Sequence, residues 1–171
     1  GEAGTLTNIG AVYKALSDPQ QALDYYHQAL PLFRPVGDKA GEATTLNNIG
    51  AVYRALGDQQ QALDYYNHAL PLFRQVGDKA GEAATLTGIG AVYRALGDPQ
   101  QALDYYNQAL PLRRQVGDRY GESVTRFNIA MVAADLGDLD RAVAELEHAV
   151  AVDEAIHHPD LVSDRAALAR M

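Results

Sequence analysis

Cysteine and tryptophan are both absent from this chain of 171 residues. Without thiols, the protein cannot form disulfide bonds, thiolate zinc sites or a cysteine nucleophile. The sequence also has no run of 18 apolar residues and no charged start followed by an apolar block, which predicts neither a transmembrane helix nor a signal peptide. We therefore expect a cytoplasmic protein with no membrane partner.

Few side chains are placed for catalysis or metal binding. The serines are Ser17, Ser123 and Ser163, and none has the base and orienting acid that acyl transfer requires. Five histidines are present, but the adjacent pair at 157–158 lies in a predicted turn without the further ligands of a zinc site. The sequence therefore predicts no enzyme activity, no metal site and no cofactor.

The composition favours a folded, acidic protein. Apolar residues make up 47% of the chain and charged residues 21%, which is enough apolar material for a buried core. The net charge is −8, and residues 121–171 contribute −6 of it through 10 acidic and 4 basic side chains. Because a negative protein repels phosphates, we expect no nucleic-acid partner.

The sequence repeats itself with a period of 40 residues. Residues 1–40 and 41–80 differ at eight positions, as do residues 41–80 and 81–120, whereas residues 121–160 retain 10 of 40 matches to the preceding block. Such self-similarity is typical of a solenoid, in which each unit buries its apolar face against the next. We expect a single solenoid domain over residues 1–171, with a divergent fourth repeat and a terminal helix at 160–171.

Each repeat is predicted to be a pair of helices. In the second repeat, Leu46, Ile49 and Tyr53 recur at steps of three and four residues, which places them on one stripe of a helix. Gly57 then ends that helix and Asp58 caps the next, because glycine adopts the left-handed conformation and aspartate accepts from unpaired helical N–H groups. The same reasoning predicts an all-α fold with helices near 2–16, 18–36, 38–56, 58–76, 78–96, 98–116, 118–136, 138–156 and 160–170.

Proline falls inside the second helix of the first three repeats, at Pro31, Pro71 and Pro111. Proline removes one backbone hydrogen bond and clashes with the preceding turn, at a cost of about 3 kcal/mol. We expect these helices to bend at the proline or, alternatively, to break there in all three repeats.

The second repeat contains the pattern Leu46-x2-Ile49-Gly50-x2-Tyr53, followed by Ala62-x3-Tyr66. This pattern resembles the tetratricopeptide repeat, whose signature is W-x2-L-G-x2-Y followed by A-x3-F. The period of 40 is similar to the extended variety found in kinesin light chains, LGN-type polarity adaptors and large bacterial signalling proteins. The resemblance implies a right-handed superhelical solenoid of antiparallel helix pairs, with a concave peptide-binding groove lined by the first helix of each pair. The residues that carry it in the second repeat are Leu46, Ile49, Gly50, Tyr53, Ala62 and Tyr66.

The face of each first helix opposite its apolar stripe is predicted to line that groove. It carries small polar residues and a row of cations, which suit an extended acidic peptide, because amides pair with a peptide backbone and cations hold carboxylates. An alternative is that the cations are ordinary solvated side chains, repeated with the unit. The predicted peptide-binding residues of the first three repeats are Thr7, Asn8, Lys14, Thr44, Asn47, Asn48, Arg54, Thr87 and Arg94.

In the fourth repeat the equivalent face is more apolar, and we add Phe127, Asn128 and Met131 to the predicted peptide-binding residues. One interpretation is a pocket for a hydrophobic anchor of the peptide. The other is that the segment 160–171 packs over this face, since the ends of a solenoid need covering.

Together these features favour a non-catalytic scaffold that binds an extended, acidic peptide segment of a protein partner. Two alternatives stay open. The uncovered apolar end of the first repeat predicts end-to-end stacking into homo-oligomers. The likeness to bacterial signalling proteins implies a ligand-sensing domain that regulates an effector elsewhere in a larger protein.

Overall fold

The computed structural model describes residues 1–157 and 159–171 and, at residue 161, the backbone alone. Within these residues the chain forms nine α-helices and no β-strand, which confirms the all-α prediction. None of the helices described is both long enough and apolar enough to cross a membrane. They are α1 (Glu2–Ala15), α2 (Pro19–Phe33), α3 (Lys39–Ala55), α4 (Gln59–Val76), α5 (Lys79–Ala95), α6 (Pro99–Gln115), α7 (Arg119–Asp135), α8 (Leu139–Ile156) and α9 (Leu161–Leu168).

Aspartate caps and glycine turns set the helix boundaries. The side chain of Asp38 accepts a hydrogen bond from the backbone N–H of Gly41 at 2.8 Å, which satisfies one of the unpaired donors at the start of α3. In the first repeat, Ser17 adopts a left-handed φ of 59° at a position where the later repeats have glycine. The same cap recurs at Asp18, Asp58, Asp78, Asp98, Asp118 and Asp138.

The second helices continue through their internal prolines. Pro31, Pro71 and Pro111 lie inside α2, α4 and α6, so the predicted alternative of a break does not occur. However, α2 ends at Phe33, earlier in its repeat than α4 and α6. Pro35 accounts for this difference, because it has no N–H with which to continue the helical hydrogen bonds, whereas the second and third repeats have glutamine there.

The chain divides into two compact units, Gly1–Gly88 and Ile89–Met171, with the boundary inside α5. In the first unit, Tyr26 of α2 is fully buried in a cluster with Ile49 and Val52 of α3. In the second unit, Tyr106 of α6 is buried in the same way against Ile129 and Val132 of α7. The tyrosine of each second helix thus fills the space beside the next first helix.

Glycine allows the helices of a pair to approach closely. A Cβ atom on Gly50 would lie 2.9 Å from the ring of Tyr66 and 3.2 Å from the backbone oxygen of Ala62. A Cβ atom on Gly88 would lie 2.6 Å from the same ring. The ring of Tyr66 therefore packs closely against two glycines, one on α3 and one on α5.

Ion pairs join the end of each second helix to the start of the next first helix. Arg34 donates to Glu42 at 2.9 Å, and Arg74 donates to Glu82 at 2.8 Å. Arg114 and Glu122 form the equivalent pair in the second unit at 3.0 Å. Each pair has an exposed guanidinium and a largely buried carboxylate, so it fixes the helix connection at the surface.

Candidate peptide-binding face

Most of the polar residues predicted on the first helices lie on the least buried side of α1 and α3. The opposite side of α3 carries Ile49 and Gly50, which are buried against α2 and α4. Four of the polar residues are exposed, and the two asparagines of α3 are half-buried. We call the set of six the polar face; its members are Asn8, Lys14, Thr44, Asn47, Asn48 and Arg54.

Two positive charges lie close together on the polar face. Burial lowers the pKa of Lys14, and the neighbouring positive charge of Arg54 lowers it further. Burial raises the pKa of Tyr66, and the neighbouring positive charge of Arg54 opposes that rise. Among residues 1–157 and 159–171, neither cation forms an ion pair with a carboxylate.

The amides of the polar face retain capacity for hydrogen bonds. The side-chain oxygen of Asn47 accepts from the hydroxyl of Thr85 at 3.0 Å, so its NH₂ group is oriented for donation. The hydroxyl of Thr44 donates to the backbone oxygen of Ala40 at 2.9 Å, and its oxygen can still accept. Thr87 on α5 is half-buried and makes the same bond to its own helix, at 2.8 Å.

Thr7 does not belong to this surface. Only 8% of it is exposed, and its hydroxyl hydrogen-bonds that of Thr45 at 2.9 Å between α1 and α3. Helix α1 packs against α2 and also against α3, and the contact with α3 covers Thr7. We therefore leave Thr7 out of the polar face.

Arg94 has a different environment from Lys14 and Arg54. In the second unit it forms an ion pair with Asp135 at 3.1 Å. Because its charge is neutralised within the chain, Arg94 is not equivalent to the two unpaired cations of the first unit. This pair was not predicted from the sequence. The acidic residue at 135, where the other repeats have alanine, could have indicated it.

The apolar residues predicted in the fourth repeat lie beneath the last helix. Phe127 and Met131 pack against a cluster that includes Ala167 of α9, and Leu168 packs against the same cluster. This arrangement matches the end-covering interpretation of these residues. Asn128 is half-buried on the same helix.

A pair of buried carboxylates between α8 and α9 was also missed. Asp153 is 1% exposed and Asp164 is 4% exposed, and neither oxygen of Asp153 has a hydrogen-bond donor in the described part of the chain. Burial raises the pKa of Asp164 to about 6, and the charge of Asp153 adds to the rise. The repeat pattern held no signal for this pair, because α9 falls outside the four full repeats.

Metal ligands are not clustered in the part of the chain that the structure describes. No group of three or more histidine, aspartate or glutamate side chains there could hold a metal ion. Of the histidine pair considered in the sequence, His157 caps the end of α8, and His158 lies outside the described residues.

Comparison with known proteins identifies the family and the fold. The family model described as tetratricopeptide repeat matches residues 1–75, 64–115 and 81–155. No curated protein sequence matches the chain. The fold is similar to BtubC (BKLC) from P. vanneervenii, with 24% identity over 92% of this chain and 66% of that chain and a TM-score of 0.81.

Two further solved structures have similar folds. A Rap protein complexed with competence and sporulation factor has 20% identity over 98% of this chain and 47% of that chain, with a TM-score of 0.83. A signal transduction ATPase from Pyrococcus horikoshii with a tetratricopeptide repeat sensor has 18% identity, covers 91% of this chain and 24% of that chain, and gives a TM-score of 0.78. This chain thus spans 66% or less of the length of each of these three proteins. Because the family model matches most of its residues, the chain belongs to the tetratricopeptide repeat family.

Proposed function

We propose that the chain is a non-catalytic interaction module and that its polar face binds an extended, acidic segment of a partner protein. The observation that carries this proposal is the pair of cations, Lys14 and Arg54, which lie close together without a carboxylate partner in the described part of the chain. Holding two like charges together is unfavourable, and a bound carboxylate would relieve that repulsion. The pair is therefore the proposed anchor for an acidic side chain.

The rest of the polar face suits the backbone of such a segment. Asn8 and Asn48 present amides that both donate and accept, and the NH₂ group of Asn47 is a further donor. Between them, Ala11 and Ala51 have small side chains that leave room for an extended chain. Donors and acceptors along the face would pair with peptide groups irrespective of the peptide's sequence, and the cations would select for acidic residues.

The comparisons support an interaction role in general terms. Tetratricopeptide repeats serve as scaffolds for protein interactions, and the similar Rap protein is complexed with competence and sporulation factor. The peptide, its acidic character and its place on the polar face are proposed for this chain alone.

Binding of labelled acidic peptides, followed by fluorescence anisotropy, tests the proposal. The probes are fluorescein-labelled peptides of eight residues with two to four aspartates or glutamates. We expect Arg54→Glu to weaken binding by about tenfold or more, since a hydrogen bond between charged groups contributes about 1.5–3 kcal/mol. We also expect the affinity to fall as salt is added, because the interaction is between exposed charges.

The matched control is Lys39→Glu, which makes the same change of charge at the other end of α3. Residue 39 precedes residue 54 by 15 positions, which places it about 22 Å away along the helix. The affinity of this variant for the peptide should lie within about twofold of that of wild type, because the substituted side chain is far from the proposed anchor. Equal loss of affinity in the two variants, or binding that Arg54→Glu leaves unchanged, would contradict the proposed site.

A further inference from the structure

A second recess lies in the first unit, away from the polar face. It is a cleft of about 660 Å³ between α2 and α4, and we call it the α2–α4 cleft. Leu30 of α2, Leu46 of α3 and Leu72 of α4 form its apolar floor. This volume is within the usual range for ligand pockets and admits a long side chain together with parts of its neighbours.

The cleft has a fixed aromatic wall. The ring of Tyr65 stacks on that of Tyr53 with centroids 5.5 Å apart and planes at 13°. Its hydroxyl also hydrogen-bonds the Nε2 atom of His27 on α2, at 3.1 Å. These two contacts hold the tyrosine in place from both sides, so the cleft is formed before any ligand enters.

The polar lining that α4 contributes includes hydrogen-bond acceptors at Asp64, Asn67 and His68, beside the side-chain amides of Gln61 and Asn67, which both donate and accept. Asp64 supplies a carboxylate, which is exposed and receives one hydrogen bond from Gln60 at 3.1 Å. His68 donates from Nδ1 to the backbone oxygen of Asp64 at 2.7 Å, so Nε2 of the neutral ring is an acceptor. Pro71 has no N–H, so the backbone oxygen of Asn67 lacks the donor that a helix normally provides four residues on.

The cation in the lining is already paired within the chain. Arg34 donates to Glu42 at 2.9 Å at one end of the cleft. Three residues of α4 with acceptor atoms thus line a recess whose own guanidinium is paired with Glu42, and the leucines of the apolar floor line the same recess. A ligand that matches this arrangement has an apolar stem and a cationic head with several donors.

We infer that the α2–α4 cleft binds an arginine side chain of a partner polypeptide. The aliphatic stem of the arginine packs on the leucines of the floor, and its guanidinium is directed to Asp64, the backbone oxygen of Asn67 and His68. Arginine fits better than lysine because its planar head carries five donors and packs against aromatic rings such as that of Tyr65. This site is separate from the polar face, and its ligand has the opposite charge.

Titration of isotope-labelled protein with short blocked peptides, followed by amide chemical shifts, tests this inference. The probe is acetyl-Leu-Arg-Leu-amide, and the comparison peptides carry citrulline or glutamate at the central position. Citrulline has nearly the shape of arginine without its charge. We expect saturable shifts at Tyr65, Asn67 and His68 with the arginine peptide, and at least about fivefold weaker binding of the citrulline peptide, because charge-assisted hydrogen bonds are roughly twice as strong as neutral ones.

Two variants with matched controls test the assigned acceptors. Asp64→Asn should weaken binding of the arginine peptide by at least about fivefold, whereas Asp24→Asn should have no effect. Asp24 accepts from Gln20 at 3.0 Å in the same way, but it does not line the cleft. Pro71→Ala restores the N–H that the Asn67 oxygen lacks, so it should also weaken binding, and Pro111→Ala provides the control with the same substitution outside the first unit.

Three results of the peptide titrations and one control without peptide would overturn the inference. The first is equal affinity for the arginine and citrulline peptides, and the second is equal affinity of wild type and Asp64→Asn for the arginine peptide. The third is stronger binding of the glutamate peptide at the same residues. Shifts at Tyr65 that appear on raising the protein concentration without any peptide would identify a second copy of the chain as the occupant, which would also overturn it. For each variant, unchanged amide shifts of the same unit at residues far from the substitution report that the unit is folded.

Discussion

The close packing of Tyr66 against two glycines predicts how Gly50→Ala changes the free energy of unfolding. Alanine is favoured over glycine inside a helix by about 1 kcal/mol, so the substitution gains stability from α3 alone. Its methyl group, however, would lie 2.9 Å from the Tyr66 ring and 3.2 Å from the backbone oxygen of Ala62. Tyr66 is 2% exposed and its ring also packs closely against Gly88, so little free space remains for the ring to move aside.

Overpacking of a well-packed core costs about 1–3 kcal/mol, and a backbone atom and a confined ring place this site in the upper part of that range. After subtraction of the helical gain, we expect Gly50→Ala to lower the free energy of unfolding by about 1–2 kcal/mol. Urea denaturation followed by far-ultraviolet circular dichroism measures the change as a lower midpoint at an unchanged slope.

The control for this prediction is Gly4→Ala. Gly4 also lies in a first helix, but a Cβ atom there meets nothing within 4 Å. The substitution should therefore raise the free energy of unfolding by up to about 1 kcal/mol. The gain is smaller if the first turn of α1 is frayed, because the helical propensity of alanine then contributes less. Both variants add one methyl group to a first helix, and only at residue 50 does that group meet other atoms within 4 Å. If Gly50→Ala proved as stable as Gly4→Ala, the close packing of α3 on α4 described above would be wrong.

Two more predictions concern charged groups. Arg126 is buried and paired with Glu122 and Glu145, so Arg126→Ala should lower the free energy of unfolding by about 3–5 kcal/mol. Arg34→Ala, at the surface, should lower it by at most about 1 kcal/mol in the same urea assay. Asp164 has a folded-state pKa raised to about 6 from 3.8, so the folded state binds more protons between those values and stability should fall as pH rises through that window. Thermal unfolding from pH 4 to 7 should show this decline in wild type and a smaller one in Asp164→Asn; identical pH profiles would contradict the buried carboxylate pair.

The helices could be predicted from sequence because their boundaries depend on local chemistry. Aspartate caps and glycine turns recur in each repeat and mark where the helices begin and end. Between these boundaries, the helical spacing of the apolar residues indicates α-helix. The early end of α2 was missed although its cause, Pro35, was visible. The second helices continue through their internal prolines, because packing of an apolar face supplies most of the stability of a helix in a protein.

The candidate site could be predicted only in part, because a helical pattern shows which side of one helix is buried by its partner and not what the next repeat covers. Thr7 was assigned to the exposed side, but its contact with Thr45 buries it. Arg94 was assigned as an anchor, but its partner Asp135 lies 41 residues away in the sequence. The α2–α4 cleft depends on three helices together, so no single stretch of sequence indicated it.

The central claim is that the polar face of α1 and α3 is the surface to which an acidic peptide binds. Amide chemical-shift mapping of the labelled protein on titration with such a peptide tests it most directly. The account predicts that the largest saturable changes fall at Asn8, Asn48 and Arg54. Changes confined to the second helices α2 and α4, with these three residues unaffected at saturation, would contradict it.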